Sequence, residues 1–209
     1  MSEQRDSYPV HLSIDYDGEP RDKMTTFFRP FAAIPIMIIL GLLTGSAAEW
    51  QTSPWSMGIA SVGMVVLPTV LMILFRQKYP RWWFDWNLAL TKFGLRVAAY
   101  VSLLGDAYPS TDEEQSVHLD ITYPDVEQEL GRGMPLVKWL LAIPHLFVLS
   151  FLGIAALVCV VASWFAILFT GRQPRALHEF IVGYARWEMR VMAYAFLLTT
   201  DVYPPFSLD

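Results

Sequence analysis

His178 and Glu179 open like the helix of a zinc protease, where a second histidine one turn on completes the metal pair and the glutamate acts as base. That histidine belongs at position 182, and valine stands there. The four histidines (His11, His118, His145, His178) and the single cysteine, Cys159, show no metal-ligand spacing. Cys159 lies inside an apolar run, where a thiol behaves as a small hydrophobe. No glycine-rich phosphate loop or serine-nucleophile motif is present. The sequence therefore assigns no catalytic residue, no metal and no cofactor.

The chemistry that the chain does repeat is cationic. RVAAYVSLLGDAYPS, residues 96–110, returns as RVMAYAFLLTTDVYPP, residues 190–205. LFRQKYPR at 74–81 returns as LFTGRQPR at 168–175, Ala33-Ile34-Pro35 as Ala142-Ile143-Pro144, and VHLSIDY at 10–16 as VHLDITY at 117–123. Four blocks in one order indicate a duplication, too long in period for a solenoid module. Arg76, Arg81 and Arg96, with Arg172, Arg175 and Arg190, are candidates for a rim that binds anionic lipid headgroups. On the alternative reading, Arg96 pairs with Asp106 and Arg190 with Asp201, fixing each Asp-x-Tyr-Pro tail to its helix. His145, directly after Pro144, is either a lipid or proton contact or a hydrogen-bond partner of the backbone that the proline frees.

The elements that must position these residues are mostly apolar. Hydrophobic residues make up 54% of the chain, charged residues only 17%, and mean hydropathy is +0.36, an unusual balance for a soluble chain. Apolar runs cover residues 30–43, 57–75 and 137–169. About 20 helical residues cross a bilayer core. The third run is longer, and folding it at Gly153 gives a hairpin that either spans the bilayer or enters one leaflet as a shallow wedge. Basic residues flank the runs at 5–29, 76–96, 132–138 and 172–190, whereas 44–56 has none. Two crossings in each half place all of them on the cytoplasmic side.

After each hairpin comes an amphipathic segment, 81–104 and 175–198, with apolar residues at helical spacing. Trp82, Trp83, Trp86, Trp139 and Trp187 are expected as interface anchors. These two segments are read as interfacial helices, or else as a third, tilted span in each half. Alternation at 10–16 and 117–123 predicts two half-buried strands that pair as a small sheet.

The resulting expectation is a mainly α integral membrane protein of two parallel repeats. Each consists of a short β-strand, a transmembrane helical hairpin and an amphipathic interfacial helix. The first repeat is 1–109 (strand, helices about 30–46 and 57–75, amphipathic helix 81–104), 110–116 is a linker, and the second is 117–209 (strand, hairpin about 136–169, amphipathic helix 175–198).

Several stretches resemble the domain-of-unknown-function 4389 family of bacterial membrane proteins. They are PLVKWLLAIPH at 135–145, WFAILFTGR at 164–172, Pro174-Arg175, YAFLLTTD at 194–201 and Tyr203-Pro204-Pro205-Phe206. The resemblance extends to both copies but is clearest in the second. Ile36 stands where the second copy has His145, and Arg76-Gln77-Lys78 where it has Thr170-Gly171-Arg172. The resemblance implies a membrane location and supplies no activity.

The expected function is a non-catalytic, multi-pass scaffold or accessory subunit of the cell (inner) membrane, both termini cytoplasmic. Its expected partners are membrane lipids, with anionic headgroups as one option, and another membrane protein or a second copy as others. The net charge of −5 gives no reason to expect nucleic acid. The runner-up is a small transporter or channel with a path between the repeats, lined mainly by Ser61, Thr69, Ser150 and Ser163. It is disfavoured because the apolar runs lack internal charges.

Overall fold

The computed structural model describes residues 8–44, 57–111, 113 and 115–209, with the side chains of 57–65 excepted. The fold is mainly helical: β1 (Val10–Ile14), α1 (Lys23–Ala32), α2 (Ile34–Thr44), α3 (Met57–Arg76), α4 (Arg81–Val101), β2 (Val117–Ile121), α5 (Val126–Glu129), α6 (Met134–Thr170) and α7 (Arg175–Met192), with a π-helical turn over Ala193–Leu197. The loop expected over 44–56 lies, from residue 45, outside the described residues.

β1 and β2 pair antiparallel, with Leu12 opposite Leu119, Val10 opposite Ile121 and Ile14 opposite Val117. The six apolar side chains at those positions are buried, so the alternation places a full row of them on one face. Two strands alone are marginal. This pair packs against α7 and α4 and shares its core with Val70 and Ile73 of α3, Phe84 and Ala99 of α4, and Ile181, Val182 and Met189 of α7. Arg186 of α7 donates to the Leu12 carbonyl at 2.9 Å, occupying a strand-edge acceptor that would otherwise be open.

α1 starts at Lys23, seven residues before the apolar run, because the Asp22 side chain caps it by accepting from the Met24 amide. Pro30 within it has no N–H to give to the Thr26 carbonyl. That carbonyl accepts instead from Trp164 Nε1 of α6 at 3.2 Å, which ties α1 to α6.

α6 corrects the expected hairpin. It is one helix of 37 residues, about 55 Å long at 1.5 Å per residue, and it runs unbroken through Gly153. A helical glycine costs only about 1 kcal/mol relative to alanine, too little to break a run of this length. Gly153 instead gives room to a neighbour: a Cβ there would meet the Tyr184 hydroxyl at 3.2 Å. Placing both termini on one side requires two crossings in this half, and one continuous α6 does not supply them.

The C-terminal end of α6 is well satisfied. Gly171 closes the helix in the left-handed conformation (φ 75°). Lys23 Nζ donates to the Phe169 carbonyl at 3.1 Å, and the Arg21 amide to the Gly171 carbonyl at 2.8 Å. Along the rest of α6 the usual polarity is inverted. Its inward seam includes Lys138, Ala142, His145, Leu149, Ala156, Ser163 and Ile167. Leu136, Leu140, Phe147, Phe151, Ile154, Leu157, Val161, Phe165 and Phe169 face outward and are exposed.

The amphipathic segments form as helices but end sooner than expected, at Val101 for α4 and at Met192 plus the π turn for α7. Gly183 of α7 admits the C-terminal tail, since a Cβ there would lie 2.8 Å from the Leu208 carbonyl oxygen.

Candidate functional site

Two clusters of similar composition dominate the polar interior. In the first, Arg29 follows from the helical start of α1, and Tyr100 and Asp106 from the end of α4. Arg29 is 3% exposed. Its Nη1 donates to the carbonyls of Tyr100 at 3.2 Å and Gly105 at 2.8 Å, and its Nη2 binds the Asp106 carboxylate. Its guanidinium carbon lies 4.7 Å from the centre of the Tyr100 ring. Arg21, also buried, donates to the Leu103 and Leu104 carbonyls and lies 3.6 Å from both Asp106 and Asp17. Two guanidinium groups thus share a small set of carboxylates and carbonyls in a half-desolvated place, where charge-assisted hydrogen bonds are strong.

In the second cluster, Lys138 of α6 is wholly buried. Its Nζ lies 2.7 Å from Asp201 Oδ1, donates to the Thr200 carbonyl at 2.7 Å, and sits 5.2 Å from the centre of the Tyr194 ring. Asp201 Oδ2 accepts from the Gly131 amide at 2.8 Å. Arg29 stands four residues before Ala33-Ile34-Pro35, and Lys138 four before Ala142-Ile143-Pro144. Tyr100 and Tyr194 share the Arg-Val-x-Ala-Tyr block, and both aspartates begin Asp-x-Tyr-Pro. The spacing from tyrosine to aspartate is one residue longer in the second cluster. The π turn over Ala193–Leu197 takes up that residue, because an i to i+5 turn holds one more than an α turn.

These contacts correct the expected pairs. Asp106 binds Arg29 and Arg21, and Asp201 binds Lys138, whereas Arg96 and Arg190 hold the tails through backbone carbonyls. Arg96 donates to the Ser110 carbonyl at 3.0 Å and Arg190 to the Ser207 carbonyl at 3.3 Å. The remaining arginines of the expected rim are surface residues. Arg81 lies over the Tyr123 ring at 5.2 Å, Arg175 pairs with Glu179 one turn on, and Arg76 and Arg172 are exposed. The six therefore do not share one role. Arg29, Arg21, Lys138 and the two tyrosines were missed from sequence, although the equal placement of Arg29 and Lys138 before Ala-Ile-Pro was a usable signal.

His145 is fully buried. Its Nδ1 accepts from Trp187 Nε1 at 3.1 Å rather than meeting backbone freed by Pro144, and its ring stacks on Phe206 at 3.9 Å. Trp187 is consequently an interior residue, 5% exposed, and not an interface anchor. Trp82 and Trp86 are exposed, as anchors require, and so is Trp139, whose Nε1 donates to the Ala195 carbonyl at 2.7 Å. Trp83 is half-buried and donates to Thr69 Oγ1 at 2.8 Å. Of the polar residues weighed for a transport path, Thr69 is thus engaged, Ser150 is exposed and bonded to the Phe147 carbonyl, and Ser163 is buried on the α6 seam. The Ser61 side chain lies outside the described residues.

His178 has Tyr16 edge-on at 5.0 Å, and Tyr16 donates to the Gln173 carbonyl at 2.8 Å. Burial first, and then the nearby Arg21 charge, hold the His178 imidazole below its usual pKa. The unfolded chain therefore takes up the proton more readily. Stability is complete above the unfolded pKa of about 6.5 and falls as pH drops below it. His178→Phe, which copies Phe84 at the matching place in the first half, is expected to flatten that part of the profile. Thermal unfolding of both proteins between pH 5 and pH 8 (~3 pH units around the histidine midpoint) tests this, and equal slopes would refute it.

Among the described residues, no three His, Cys, Asp or Glu side chains converge as a metal site requires. The family described as Domain of unknown function (DUF4389) matches residues 134–207, the stretch from the start of α6 to the C-terminal tail. No curated protein and no solved structure matches the chain.

Proposed function

We propose that this is a non-catalytic integral membrane protein, built of two similar halves, that binds lipid or a partner protein at the cytoplasmic leaflet as a scaffold or accessory subunit. The observation that carries the reading is the inverted polarity of its long helices. Two helical stretches, Lys23–Thr44 and Met134–Thr170, have the length and apolar character of spans, and only 22% and 17% of their most apolar windows are buried. A core helix of a soluble protein would be buried on that face, whereas lipid is the solvent in which exposed Leu, Ile and Phe cost nothing. The matched blocks, the pairing of each strand motif with its counterpart, and the two cation, tyrosine and aspartate clusters support the two-halves reading. The clusters lock each tail to its helices, which makes a rigid body more suited to positioning a partner than to turning over a substrate.

The test is direct extraction of native membrane into detergent-free lipid nanoparticles, followed by mass spectrometry of what a tagged copy retains. A stoichiometric protein or one enriched lipid class is the expected result. Retention of neither would defeat the scaffold reading.

A further inference from the structure

A cavity of about 210 Å³ opens between α1, α4 and α6, with Arg29, Pro30, Val101, Val161 and Trp164 in its wall. Apart from Arg29, the wall is apolar or aromatic. Val101 and Val161 are 42% and 47% exposed, so the mouth is bordered by hydrocarbon.

The position that matches Pro30 in the second half carries a tryptophan, Trp139, 43% exposed like the residues at the cavity mouth. Trp139 follows Lys138 as Pro30 follows Arg29, and its indole bonds the Ala195 carbonyl, the residue after Tyr194 as Val101 is the residue after Tyr100. Proline in place of tryptophan leaves the first half without that ring. A second, independent feature lies in the wall itself. Arg29 is 3% exposed and its Nη1 and Nη2 are engaged, yet its Nε is buried with no hydrogen-bond partner. An unpaired buried N–H of a charged group is costly, and an oxygen at the end of an apolar chain would relieve it.

We propose that this cavity is a binding site for one membrane phospholipid, its acyl chain replacing the missing indole and a headgroup or ester oxygen accepting from Arg29 Nε. The inference rests on the membrane reading above, because the apolar mouth must face lipid.

The second half suggests the variants. Pro30→Trp and Val161→Trp each fill the cavity, from α1 and from α6. Pro30→Ala restores the helix N–H without filling it. Arg29→Lys copies Lys138, keeping a cation for Asp106 while removing Nε. The full-length chain is reconstituted into nanodiscs of phosphatidylethanolamine and phosphatidylglycerol, released into mild detergent and weighed by native mass spectrometry.

Wild type and Pro30→Ala are expected to retain one phospholipid per chain. Both tryptophan variants are expected to lose it by about tenfold or more, a factor equal to one decade in the dissociation constant, and Arg29→Lys is expected to lie between. Because Val161 is half exposed, Val161→Trp tests the site even if Pro30→Trp fails to fold. Equal retention by wild type and Val161→Trp would overturn the site, as would incorporation of wild type with no lipid retained. A wild-type chain that stays in solution without detergent and does not enter nanodiscs would instead overturn the membrane reading.

Discussion

Asp201→Ala is expected to remove about 3–5 kcal/mol of stability, the range for breaking a buried ion pair on one side. The variant strands Lys138, which is wholly buried and would keep only the Thr200 carbonyl as acceptor. It also frees the Gly131 amide that Asp201 now accepts from. The cost comes from an uncompensated charge, so removing both partners should do less harm. Lys138→Met combined with Asp201→Leu is expected to be more stable than Asp201→Ala alone, since apolar replacements of a buried pair are often neutral. Arg175→Ala is the control: its pair with Glu179 is exposed on both sides, and such pairs contribute about 0–1 kcal/mol. Unfolding midpoints of the four proteins in one lipid environment test the ordering. A loss for Asp201→Ala no larger than for Arg175→Ala would show that the cluster does not hold the tail.

Trp187→Ala is the second large effect, also about 3–5 kcal/mol, the range for deleting a buried aromatic ring. The indole packs with Ala142, Leu149, Val191, Tyr194 and Ala195 and lies 5.5 Å, edge-on, from Phe206 of the tail. It also supplies the hydrogen bond to His145 Nδ1, so its loss leaves His145 buried with both nitrogens unsatisfied. Trp187→Phe separates the two contributions. It keeps most of the packing and loses the donor, and about 1–3 kcal/mol is expected for the buried acceptor left unmet. If Trp187→Phe were as damaging as Trp187→Ala, packing would not be the main contribution. If it were silent, the His145 bond would contribute nothing to stability.

Local patterns made several elements legible. The alternation of Val10, Leu12 and Ile14 and of Val117, Leu119 and Ile121 identified both strands, because a side-chain period of two is imposed by the pleat. The apolar spacing of 175–198 identified α7, and left only its last turn and the π turn undetermined. The long-range pairings were not legible. Asp106 and Arg29 are 77 residues apart, and nothing local tells an aspartate which of several basic residues will reach it. Arg96 and Arg190 were nearer in sequence and were the natural choice, but their helices turn them toward the carbonyls of the tails.

By itself, then, the sequence determined the composition of this protein's surfaces, its helical and strand periods, and the twofold recurrence of its blocks. Those are properties of neighbouring residues, which covalent geometry places on one face or another. Tertiary structure alone decided that residues 134–170 form one helix and not two, since an apolar run satisfies its backbone equally well in either form. It also decided that Trp187 lies inside, that Lys138 and Arg29 take the aspartates, and that a cavity opens beside Pro30. Each of these depends on which helix packs against which, and packing is chosen by shape and charge across the whole chain.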